Sequence, residues 1–198
     1  MNPVLILYSS GGGHTARIAN HLASTMAMLG LETHVVDSAK AAPDMALGDY
    51  SGLVALSSVR SGKHGESLTK FITTNVSRLP KPSLFLSVSL TYVTLQDPNA
   101  SAASKAKASA DVQRLIDEFI NETGWRPGRA LGVAGDLPYT KYSWLLRLFM
   151  KWLVKKSGGP TDTSRDYVFT DWGALDAVAR EFAHEVAPAA KAAAPAVS

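Results

Sequence analysis

Val4-Leu5-Ile6-Leu7-Tyr8 runs directly into Ser9-Ser10-Gly11-Gly12-Gly13-His14-Thr15. A short apolar run bounded by turn residues reads as a buried strand. The hydroxyl- and glycine-rich segment behind it reads as a loop. Thr15 then opens a helix whose apolar face holds Ile18, Leu22, Met26 and Leu29, and Gly30 closes it. A strand, a glycine-rich turn and a helix N-terminus gather backbone N–H groups at the positive end of the helix dipole, which suits an anion. The segment Ser9, Ser10, Gly11, Gly12, Gly13, His14, Thr15 is therefore read as a phosphate loop. It lacks the Gly-Lys-Ser/Thr ending of a Walker A loop, and Gly-x-Gly-x-x-Gly cannot be laid over it. The commonest nucleotide-binding loops are thus excluded.

Outward from this point, strand and helix patterns alternate. Strands are predicted at Val4–Tyr8, Thr33–Val36, Leu53–Leu56, Leu84–Val88 and Ala130–Ala134. Helical faces are marked by Leu68, Phe71, Ile72 and Val76, then by Val112, Leu115, Ile116, Phe119 and Ile120, and a closing helix spans Ala174–Val186. This alternation predicts an α/β fold, a doubly wound parallel sheet with helices on both faces. Ligands of such sheets sit beyond the carboxyl ends of the strands. The loops at 9–15, 57–62 and 89–101 leave those ends.

The chain has 198 residues, is 46% hydrophobic and carries a net charge of +3, so one domain with a proper core is expected. Without cysteine, disulfides, thiolate metal sites and a cysteine nucleophile are excluded. No secretory pattern opens the chain, and no run reaches the roughly 18 apolar residues of a spanning helix. A cytoplasmic location is expected. The domain is placed at 1–187, with an insertion at 138–157 and a disordered Ala/Pro-rich tail at 188–198. His21, His34 and His184 are scattered, and no histidine pair has ligand spacing, so no metal is predicted. His64 reads as a solvated loop histidine, with proton transfer as its functional alternative. No Ser/His/Asp constellation stands out, and no nucleic-acid partner is expected.

The insertion is the most unusual segment. It carries Tyr139, Tyr142, Trp144, Leu145, Leu146, Leu148, Phe149, Met150, Trp152, Leu153 and Val154, with no acid from Tyr139 to Lys156. At helical spacing Arg147, Lys151 and Lys155 form one cationic stripe, and apolar residues cover the rest. Such a helix, 139–156, reads as an interfacial membrane helix attracted to an anionic leaflet.

Ser10-Gly11-Gly12-Gly13-His14-Thr15 resembles the flavodoxin phosphate loop around FMN, except that Gly12 stands where flavodoxins usually carry a hydroxyl residue. More specific are Trp125-Arg126-Pro127, Ala134-Gly135, Ser157-Gly158-Gly159-Pro160-Thr161-Asp162-Thr163 and Tyr167-Val168-Phe169-Thr170-Asp171-Trp172. With Val59-Arg60-Ser61-Gly62-Lys63-His64 and Phe85-Leu86-Ser87-Val88-Ser89-Leu90, they resemble the quinone-dependent (menaquinone-type) protoporphyrinogen IX dehydrogenases over about Val4 to His184.

That resemblance implies a flavodoxin-like five-stranded sheet of order 2-1-3-4-5. It implies FMN, with the flavin N5 as the reactive centre and no certain catalytic side chain. The substrate would be protoporphyrinogen IX and the acceptor a membrane quinone, in haem synthesis on the cytoplasmic face of the inner membrane. Flavin contacts are expected from the phosphate loop, from Ser57, Ser58, Val59, Arg60 and Gly62, from Ser87, Val88, Ser89 and Tyr92, and from Asp162 and Thr163. Tyr92 is the one nearby aromatic for a ring face, and an open second face would suit a flat substrate. Arg60, Lys63, Lys141, Trp144, Arg147 and Lys151 are assigned to substrate propionates or membrane. A flavodoxin-type electron carrier and an NAD(P)H:quinone reductase stay open as alternatives, as does a homo-oligomer.

Overall fold

The computed structural model describes residues 2–156 and 161–193. Strands β1 (Val4–Ser9), β2 (Thr33–Asp37), β3 (Gly52–Ser58), β4 (Ser83–Ser89) and β5 (Arg129–Ala134) form one parallel sheet of order β2-β1-β3-β4-β5. The expected topology is therefore present. β1 lies inside the sheet, with Ile6 paired to Val35 and Val54. Alternate residues of β1 point to opposite faces, and both faces are covered, which is why its run is continuously apolar.

Helices α1 (His14–Met28) and α6 (Trp172–Ala193) cover one face, over a cluster that includes Ile6, Ile18, Leu22, Val54, Leu86 and Phe182. Helices α2 (Glu66–Asn75) and α4 (Ala102–Thr123) cover the other, over Leu5, Phe71, Phe85, Ile116 and Phe119. Phe85 and Phe119 stack with centroids 4.3 Å apart. α4 begins where the Ser101 hydroxyl accepts the Ser104 N–H, and ends at Gly124, whose φ of 70° places it in the left-handed region.

Three local features depart from the sequence reading. The loop at 89–101 contains a helical turn, α3 (Val93–Gln96). After β5, two-residue strands β6 (Asp136–Leu137) and β7 (Tyr167–Val168) pair antiparallel and clamp the two ends of the insertion together. Between them lie a 3-10 turn, Tyr139–Lys141, and helix α5 (Trp144–Lys156). The closing helix runs through Pro188 to Ala193, past the expected start of the tail, in an alanine-rich stretch of high helix propensity. The remainder of the tail lies outside the described residues, as does 157–160. No described helix is long and apolar enough to cross a membrane.

Candidate functional site

β1 delivers the glycine loop to the start of α1. Gly13 has φ 91°, a conformation that side chains beyond glycine rarely adopt, and the Ser10 hydroxyl accepts its N–H at 3.0 Å. The first intrahelical bond runs from Arg17 N–H to the Gly13 carbonyl, so the preceding N–H groups of the first turn lack helical acceptors.

His14 is only 4% exposed and Thr15 is buried. Thr170 donates its hydroxyl to the Ala134 carbonyl at 2.7 Å, so its oxygen accepts from His14 Nε2 at 2.6 Å. That assigns the proton to Nε2 and leaves Nδ1 buried without a hydrogen bond, 3.9 Å from Asp136. Burial holds the His14 pKa below its ordinary value; Asp136 opposes this, and Arg17 and Lys141 add to it.

The Ser9 hydroxyl is turned sideways to Ser67 at 3.2 Å, and Ser67 bonds Ser38 at 2.7 Å. Gly65 is pressed against it: a Cβ there would collide with the Ser9 hydroxyl. The Gly65 N–H donates to the Ser57 hydroxyl at 2.8 Å. Ser9 and Ser57 thus tie β1 and β3 to the start of α2 through their side chains.

In the second loop, Arg60 and Lys63 exchange backbone bonds of 2.8 and 3.0 Å around Ser61 (φ 49°) and Gly62 (φ 76°). Positive φ at both central positions is the signature of a type I′ turn. The preceding Val59 N–H donates to the Val88 carbonyl, which joins this loop to the third, beside Ser58 at the end of β3. The Arg60 side chain leaves the turn and lies across the glycines. A Cβ at Gly11 would fall 2.6 Å from its Nε, and one at Gly12 would fall 3.2 Å from Nη2.

The third loop is drawn inward. Buried Ser87 bonds His64 Nε2 at 2.9 Å, and Ser89 accepts the Tyr92 N–H at 3.3 Å. The Tyr92 ring packs on Gly132 and Val112, beside a cavity of about 150 Å³ that Leu131, Val133, Leu175 and Val178 also line. His64 departs from both sequence-based readings. Its ring sits 5.2 Å from that of Phe85 and 5.1 Å from that of Phe119, and burial pushes its pKa down to about 4. It is a half-buried histidine held neutral against the aromatic core, and not a solvated loop residue poised for proton transfer near neutrality.

Residues Tyr139–Lys141 seat the insertion next to the glycine loop. Tyr139 is fully buried. Thr140 donates its N–H and its hydroxyl to Asp166, both at 2.8 Å, and these bonds hold the Asp166 carboxyl below its usual range. Lys141 Nζ donates to the Gly12 carbonyl at 3.4 Å.

The cationic stripe of α5 is corrected at Arg147. Its guanidinium folds back on the preceding turn and donates to the carbonyls of Thr140 and Tyr142, at 3.3 Å each. Met150 and Val154 share its half-buried side. The apolar residues face outward instead: Trp144 is 69% exposed, Phe149 56% and Trp152 54%. Asp162 accepts the Ser164 N–H and hydroxyl at 3.0 and 2.6 Å and pairs with Arg165 at 3.2 Å. Those bonds to Ser164 hold its carboxyl low. Asp162 thus serves a local turn that also contains Thr163.

The flavodoxin domain family matches residues 5–164. Protoporphyrinogen IX dehydrogenase (quinone) of Escherichia coli strain K12 is 33% identical over 181 residues, covering 91% of this chain and 94% of its own. The chain belongs to this flavodoxin-like dehydrogenase family. The Leishmania major protein of the same name is 30% identical, over 90% of this chain and 74% of that one. Among solved structures, a flavodoxin from the domain Archaea gives a TM-score of 0.51 at 15% identity, over 93% of this chain and 99% of its own. Rubredoxin oxygen:oxidoreductase of Desulfovibrio gigas gives 0.56 at 14% identity, over 98% of this chain and 38% of its own. At such identities these two show the fold alone.

The family's fold suits a flavin, and the donor set fits a phosphate monoester. Side-chain-free backbone at Gly11–Gly13, first-turn N–H groups and two cations converge there, and the nearest buried polar atom without a partner, His14 Nδ1, faces Asp136. The residues that sequence reasoning misplaced are those whose side-chain direction periodicity cannot report: Arg147 and His64.

Proposed function

We propose that this protein uses FMN to oxidise protoporphyrinogen IX to protoporphyrin IX and passes the electrons to a membrane quinone, in porphyrin and haem synthesis. The observation that carries this reading is α5, a helix with its aromatic face exposed, which follows directly on the turn whose Lys141 reaches the flavodoxin-type glycine loop. A soluble carrier docks through charged surfaces and has no use for such a face. Both the quinone and the porphyrinogen macrocycle are apolar.

The polarity of α5 is inverted, with Arg147 inward and Trp144, Leu148, Phe149 and Trp152 outward. A lipid surface accommodates that arrangement, and exposed Lys151 and Lys155 add attraction to anionic headgroups. These features support a peripheral position, on the cytoplasmic face of the inner membrane. Residues Gly11–Thr15 hold the phosphate, and Ser58–Gly62 and Ser87–Ser89 border the ring. When bound, FMN supplies two-electron redox chemistry. Removing six hydrogens from the substrate takes three such rounds and converts three quinones to quinols. Lys63, at the base of the I′ turn, orients a substrate propionate. His64 stays neutral, locked to Ser87, and moves no proton at working pH.

Purified protein mixed with FMN, protoporphyrinogen IX and a quinone is expected to generate porphyrin fluorescence above the spontaneous rate. No gain over that rate overturns the reading. Flotation with anionic liposomes tests the membrane role separately. Deleting 139–156 would remove buried Tyr139, so the sharper variant is Leu148→Ser with Phe149→Ser; unchanged flotation would remove α5 from the interface.

A further inference from the structure

We propose that the insertion is also part of the cofactor site: Lys141, together with Arg60, closes over the glycine loop and grips the phosphate of FMN. This rests on the FMN reading above. Two cations from distant parts of the chain meet at Gly12, the Arg60 guanidinium lying against Gly11 and Gly12 and Lys141 Nζ on the Gly12 carbonyl. Among the described residues, the ion pairs within 4.0 Å are formed by other groups, such as Arg114, Arg129 and Arg165.

Asp166 is turned to Thr140, from which it accepts two bonds, and Asp136 faces His14. Arg60 and Lys141 thus keep donors outside any close ion pair beside the positive end of α1, and a phosphate monoester, which carries about −1.5 to −2 at neutral pH, suits that donor set. A lysine ammonium has three donors; one bond to Gly12 leaves two for phosphate oxygens.

The turn that carries Lys141 is fixed on three sides. Tyr139 is buried, Asp166 holds Thr140, and Arg147 of α5 holds the carbonyls of Thr140 and Tyr142. Little conformational freedom remains to be lost when the ligand arrives. Lys141 is thereby assigned to the cofactor and not to a substrate propionate. The chain of contacts from Gly12 through Lys141 and Arg147 ties the loop to the base of α5.

The test compares FMN with riboflavin, which lacks the phosphate, by flavin-fluorescence titration of wild type, Lys141→Gln and Lys141→Arg. Lys141→Gln is expected to weaken FMN by about tenfold or more, the worth of one charge-assisted hydrogen bond, and to leave riboflavin unchanged. Lys141→Arg is expected to restore most of the loss. Equal loss for both flavins, or none for FMN, overturns the clamp. A wild-type protein that binds neither flavin overturns the cofactor reading, and the clamp with it. Amide exchange on the unmutated protein gives a second readout: FMN should protect 139–142 more than riboflavin does, and equal protection counts against the proposal.

Discussion

Helices α5 and α6 both carry wide apolar faces, and they treat them in opposite ways. α6 lays Leu175, Ala179, Phe182 and Val186 on the sheet beside α1, and its outer side bears charges: Glu181 and Glu185 meet Arg129 at 2.8 and 3.2 Å. α5 turns Arg147 to its own domain and shows Trp144, Phe149 and Trp152 to the outside. An apolar stripe in a sequence therefore states that something will cover it, without stating what. In α6 the cover is the chain's own sheet.

The comparison breaks most readily at Phe182. Its truncation, Phe182→Ala, is expected to lower unfolding stability by about 3–5 kcal/mol in denaturant titration, since the side chain is fully buried. A loss below about 1 kcal/mol would mean that α6 is not held as described.

The covered side also contains His64. Its ordinary pKa of 6.5 applies to the unfolded chain, and about 4 to the folded one. The unfolded chain therefore takes up the proton first. Stability is complete above pH 6.5 and is lost as pH falls toward 4, by a total on the order of 2–3 kcal/mol. His64→Gln keeps a polar partner for Ser87 and should flatten this slope. Equal slopes in variant and wild type would place the ring in water.

On the uncovered side the signs reverse. Leu148→Ser with Phe149→Ser should change unfolding stability by no more than about 0.5 kcal/mol, while vesicle binding falls by roughly tenfold or more. A large destabilisation would show that the face is covered within the protein. Smallest is Lys155→Gln, worth about 1 kcal/mol on anionic vesicles and nothing on neutral ones.

The central strands were plain in the sequence because β1, β3 and β4 are apolar on both sides, which leaves few alternatives to a covered parallel sheet. Strands β6 and β7 were hidden, since two residues have no period to read. The glycine loop was plain in the sequence through three successive glycines, but the cations that meet it come from 60 and 141, and nothing local connects those positions. Periodicity placed Arg147 correctly on a stripe of α5. It could not reveal that the carbonyls of Thr140 and Tyr142 would draw Arg147 away from solvent while Lys151 and Lys155 stay exposed.

The glycine triplet has a consequence for the order of assembly. Gly11 and Gly12 are bare enough for Arg60 to approach, so the loop draws its positive charge from segments that follow it much later in the chain. Contacts of such sequence separation form late in folding. The loop and its helix, made first during synthesis, hold only part of the anion site. On the proposed clamp, capture of FMN would wait until the insertion has docked, and quenching of flavin fluorescence would report that docking.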